Sequence, residues 1–163
     1  MSGNHLIEPI VLALSVLASY IGIRRSIKSA RDNAKDRATM TYLIERSKEQ
    51  KFTESVQVIF AINLNDNVDI KKYAKKEHNK DPKADAIRYV VNQYEYLAIG
   101  VDHDIFNEDM LIEASKGTTI KLFDALEHYI LAIRDETDKH KYQEFEALAK
   151  RWRPKSLDKD KAT

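Results

Sequence analysis

The stretch PIVLALSVLASYIGI, from Pro9 to Ile23, runs for 15 residues without a charge. Extended back to Leu6 it covers 18, with Glu8 as the only ionisable interruption. At about 1.5 Å per residue the longer count reaches about 27 Å, close to the roughly 30 Å of a hydrocarbon core. A helix on the rim of a bundle shows polar residues every third or fourth position, whereas here only Ser15, Ser19 and Tyr20 are even mildly polar. The stretch therefore reads as a membrane span, with the central helix of a bundle as the competing reading.

The flanks set its orientation. MSGNHLIE precedes it without Lys or Arg, so a cleaved secretory signal is not indicated. Residues 24–37 hold six basic residues against Asp32 and Asp36, and the positive-inside bias places the C-terminal side in the cytoplasm. The expectation is a single-pass anchor in a bacterial inner membrane, N-terminus outside. Arg24, Arg25, Lys28, Arg31 and Lys35 would then lie on the lipid surface, each contributing about 1 kcal/mol toward an anionic leaflet. Ser15, Ser19 and Gly22 bring small residues to one helix face and are the expected self-association surface of a homo-oligomer.

The whole chain has 163 residues and 18.8 kDa, with 27 Lys+Arg against 26 Asp+Glu, 43% hydrophobic residues and no cysteine. This balance excludes a globally basic nucleic-acid binder, a disulfide scaffold and a thiolate metal site. Four glycines and three prolines exclude fibrous and low-complexity classes.

Beyond the apolar stretch every strong signal is helical. The absence of a breaker from Ile23 to Asn79 lets the first helix continue toward Lys51. Thr53 is the expected cap of a second helix carrying Val56, Ile59, Phe60 and Leu64, although SVQVIFAI is also rich in strand formers. Asp81-Pro82 opens the clearest helix, whose stripe is Ile87, Val90, Val91, Tyr94, Leu97, Ala98 and Val101. Asn107 caps the next, Gly117 is its expected stop, and Thr118 or Thr119 is the expected cap of another. Tyr142, Phe145, Leu148, Ala149 and Trp152 form a last apolar face before Pro154. The expected organisation is an anchor over 1–23, a basic juxtamembrane helix over 24–51, a bundle over 52–153 and a disordered tail over 154–163. The fold class is thus all-α, a single-pass membrane helix followed by a cytoplasmic helical bundle.

Charge is unevenly spread. Residues 71–83 sum to +4, residues 84–149 to −8 and residues 150–163 to +4. The lysine segment has only Tyr73 for base stacking, so a solvated loop explains it better than nucleic acid. Five scattered histidines show no metal-ligand spacing, Asn65-Asn67-Asp69 lacks the glycine and glutamate of a calcium loop, and no phosphate loop or nucleophile elbow is present. No cofactor is indicated. Glu95 lies beside the buried stripe with Arg134 as its expected partner, in a structural ion pair.

The order of these features resembles the bacterial and phage family catalogued as domain of unknown function 4760. The residues that carry the resemblance are Arg37-Ala38-Thr39 with Tyr42 and Leu43, YEYLAIGV over Tyr94 to Val101, the turn Ile105 to Asp109, Ile133-Arg134, and the Tyr142, Phe145, Leu148, Trp152 pattern. The resemblance implies membrane-tethered helical bundles in mobile or phage-derived contexts, with no activity to carry over. The resulting expectation is a non-enzymatic module binding an unidentified protein partner, in phage–host conflict such as superinfection exclusion or defence modulation. The alternative is a nucleic-acid binder using its lysine segments, with the apolar N-terminus as an oligomerisation helix.

Overall fold

The computed structural model describes residues 7–65 and 68–154, with side chains from residue 14 onward. The described residues form five α-helices and two 3-10 turns and contain no strand. They are α1 (Ile7–Lys48), α2 (Gln50–Asn63), the turns Ile70–Ala74 and Lys76–His78, α3 (Pro82–Asp102), α4 (Glu108–Glu136) and α5 (Gln143–Trp152). The tail expected over 154–163 lies outside the described residues after Pro154.

The helices α2, α3, α4 and α5 with the first 3-10 turn make the core. Asp81 caps α3 by accepting from the Lys83 N–H at 2.8 Å, Pro82 follows in the first turn, and all seven stripe residues from Ile87 to Val101 are buried. Four elements meet in one aromatic cluster. Tyr94 of α3 stacks on Phe145 of α5 at 4.9 Å between centroids, Phe123 of α4 meets Phe145 edge-on at 5.4 Å, and Phe52 of α2 lies 6.2 Å from Tyr94.

The β-rich SVQVIFAI segment is helical, with Ser55, Ile59 and Ile62 turned into the core. Its helix starts earlier than expected, with Glu49 and not Thr53 at the N-cap. The stop expected at Gly117 is absent, and α4 runs through it. A lone glycine costs a helix about 1 kcal/mol, which the burial of Leu111 on one side and Leu122, Phe123 and Leu126 on the other outweighs. Thr119, expected as a cap, is fully buried and donates its hydroxyl to the Ser115 carbonyl at 3.0 Å.

The membrane helix is a correction. Among the described residues no helix is long and apolar enough to cross a membrane. Within α1 the uncharged run from Pro9 to Ile23 is 15 residues, about 22 Å at helical rise, before Arg24 and Arg25 interrupt it. That falls short of a roughly 30 Å hydrocarbon core. The single-pass topology and the inner-membrane placement with the N-terminus outside rested on that span and fall with it. What stands is an all-α bundle with a long first helix.

Candidate functional site: the projecting half of α1 and its root

α1 has two different halves. From Leu14 to Ala34 every residue is exposed, including Leu14, Val16, Leu17, Tyr20, Ile21, Ile23 and Ile27. Ile23 is 60% exposed and Ile27 64%. From Lys35 onward one face, through Asp36, Thr39, Tyr42, Leu43 and Arg46, turns into the bundle. An exposed side chain of that size forgoes about 1.5–3 kcal/mol that burial would return. A free helix of this length is also only marginally stable without tertiary packing. The projecting half, called the arm below, is thus a surface waiting for cover.

The root is built where α3 ends and α4 begins. Asp104 takes the left-handed conformation at φ 60°, which aspartate tolerates better than most residues, and the Ile105 N–H closes the helix end on the Gly100 carbonyl at 2.9 Å. The Asp104 carboxylate receives Arg31 at 2.9 Å and also Lys35. The Lys35 hydrogen bond, followed by the charges of Lys35 and Arg31, holds its carboxyl below the ordinary value. Asn107 caps α4 by accepting from the Met110 N–H at 3.3 Å, while its amide donates to Asp36 at 2.6 Å. A notch of about 500 Å³ opens beside this joint, lined by Asp32, Lys35, Asp36, Asp104, Glu108 and Asp109 among others.

Most of the carboxylates here already have structural work. Asp36 holds Asn107, Asp104 holds α1, and Glu108 accepts from Arg151 and from the Trp152 indole, both at 2.8 Å. Among the described residues no three His, Cys, Asp or Glu side chains converge to hold a metal ion.

The basic residues expected on a lipid surface divide. Arg31 and Lys35 grip Asp104, and Arg24, Arg25 and Lys28 stand exposed on the arm, with Arg24 over the Tyr20 ring at 5.1 Å. Ser15, Ser19 and Gly22 share the exposed arm, and a Cβ placed on Gly22 would meet nothing within 4 Å. Glu95 and Arg134 do not bond to each other. The Glu95 carboxylate accepts from the Phe145 N–H at 2.8 Å and the Glu144 N–H at 3.5 Å, capping α5 from outside. Arg134 pairs with Glu146 at 2.7 Å and donates to the Lys141 carbonyl at 2.8 Å. The lysines of 71–83 are carried on and around the two 3-10 turns, with Lys72 over the Tyr73 ring at 5.1 Å.

The Asp104 and Asn107 joint was not expected. Its signal was present in part, since Asn107 reads as a cap, but nothing local links it to a helix some 70 residues earlier.

Fold and site together define a small all-α module that carries an uncovered helical arm. The chain belongs to the family described as Domain of unknown function (DUF4760), which matches residues 9–152. The match takes in the arm as well as the bundle. No curated protein and no solved structure matches the chain.

Proposed function

We propose that the protein is a non-enzymatic helical interaction module, in which the bundle holds the N-terminal half of α1 clear of its own core so that protein covers it. The observation that carries this reading is the unbroken exposure from Leu14 to Ala34, with seven large apolar side chains outward. Two further features support it. The arm is fastened at its root by Thr39, Asp104 and Asn107, so it is presented in a set direction, and the family match begins at Pro9, inside α1.

Photo-crosslinking in cells tests it. A photoreactive residue at Ile23 or Ile27 is expected to capture protein, and one at Leu131, a 49% exposed residue on the outer side of α4, is not. Equal capture at all three positions, or capture at none, would overturn the reading.

A further inference from the structure

We infer that a second copy of this chain covers the arm, joined to the first as a parallel coiled coil along Val16, Tyr20, Ile23, Ile27, Ala30 and Ala34. The inference rests on reading the arm as a protein-binding surface, and it adds the partner and the geometry.

These six residues stand at alternating intervals of four and three, the heptad spacing that keeps one seam in register with a partner helix. All six are exposed. At 3.6 residues per turn the seam lies roughly 130° round the helix from the line through Thr39, Tyr42, Leu43 and Arg46 that docks on the bundle. Two copies therefore meet along the seam with their bundles outward. The apolar seam also stops where docking starts, because Arg37 takes the next seam position and is exposed.

Charge selects the parallel sense. Leu17, Arg24 and Arg31 flank one side of the seam, and Ser19, Ser26 and Asn33 flank the other. In a parallel pair each flanking arginine faces a serine of the other chain. In an antiparallel pair in full overlap like flanks meet, and Arg24 opposes Arg24 of the other chain, a repulsion that flanking positions use to reject an orientation. Isoleucine at both kinds of seam position accommodates three strands as readily as two. The inference therefore concerns the seam and its sense, and an assembly of two chains or three meets it equally.

The chain has no cysteine, so single-cysteine variants report strand order cleanly. In sedimentation equilibrium across the micromolar range the full chain is expected at a multiple of 18.8 kDa. Ile23→Asp combined with Ile27→Asp is expected to return it to one chain. Ser29→Asp, which adds a negative charge off the seam, is expected to leave the mass unchanged, with unaltered unfolding midpoints showing that the bundle is intact. Val16→Cys and Ala34→Cys are each expected to oxidise to a cross-linked pair when present alone. Cross-linking only when the two variants are mixed would mean an antiparallel pair and overturn the inference. A wild-type chain that stays single at all concentrations would also overturn it, including when added phospholipid vesicles take up the arm. If the arm captures only a different protein in cells, the interaction reading stands and the second copy is excluded; if it captures nothing, both fail.

Discussion

Asn107 donates its backbone N–H to the Thr39 hydroxyl across 2.8 Å, and that hydroxyl in turn donates a hydrogen bond to the Lys35 carbonyl at the same distance. Thr39 is fully buried, so this chain of two bonds is the dry centre of the joint between α1 and the first turn of α4. Lys35 and Arg31 on Asp104, and Asp36 on Asn107, surround it. One small hydroxyl thus fixes the direction in which the arm leaves the bundle.

Thr39→Val keeps the shape and removes the hydroxyl, stranding the Asn107 N–H without an acceptor. A loss of about 1–3 kcal/mol is expected from urea unfolding. Thr39→Ser, which keeps the acceptor, is expected to lose clearly less. Equal losses would mean that packing and not the hydrogen bond holds the joint.

Two glycines inside helices should respond oppositely to alanine. At Gly117 a Cβ meets nothing within 4 Å, so Gly117→Ala is expected to stabilise α4 by about 0.5–1 kcal/mol through helix propensity. At Gly100 the Cβ would fall 2.6 Å from Phe106 Cδ2, on a ring packed against Tyr42 of α1 at 5.4 Å between centroids. Overpacking of about 1–3 kcal/mol exceeds the propensity gain there, and Gly100→Ala is expected to destabilise. Thermal unfolding of the two variants side by side checks the signs, and a rise in both would show that the Phe106 ring moves aside without cost.

Acid titration separates Glu95 from Glu146. Burial, ahead of its two backbone hydrogen bonds, pushes the Glu95 carboxyl above its ordinary 4.5. The folded chain then keeps that proton longer than the unfolded chain, so this group's contribution falls as pH rises from 4.5 through the raised value. Glu146 is held below 4.5, first by its hydrogen bond from Lys150 and then by Arg134. Its contribution is full above 4.5 and disappears as pH falls through the lowered value. Relative to wild type, Glu95→Gln should therefore gain stability as pH rises above 4.5, and Glu146→Gln should lose it as pH rises toward 4.5 from below. Denaturant unfolding at several pH values reads both slopes, and slopes of the same sign would refute the assignment.

Much of the bundle was legible because its signals are local. In α3 the Asp81-Pro82 start and the stripe from Ile87 to Val101 sit in one continuous segment, and every stripe residue is buried. The face from Tyr142 to Trp152 is equally self-contained, and it too is buried. Gly117 misled because a stop signal looks the same whether or not buried residues on both sides carry the helix through. Arg31 and Lys35 misled for a different reason. Next to an apolar run they match a lipid-facing cluster, and their partner Asp104 lies about 70 residues further on, in a turn that only the folded chain brings to them. Glu95 and Arg134 were placed in the right neighbourhood but not on each other, since both serve the start of α5, whose free N–H groups attract the carboxylate. The arm shows the limit most clearly. An apolar helix requires cover, and a single chain does not display what supplies it.

Hydrogen exchange of the full-length chain at low and high micromolar concentration tests the central claim most directly. A lone projecting helix exchanges quickly along its length, because it is marginal without packing. If a second copy covers the arm, amides from Val16 to Ala34 should gain protection as concentration rises while the amides of α3 and α4 stay constant. Rapid exchange over those residues at every concentration would contradict it.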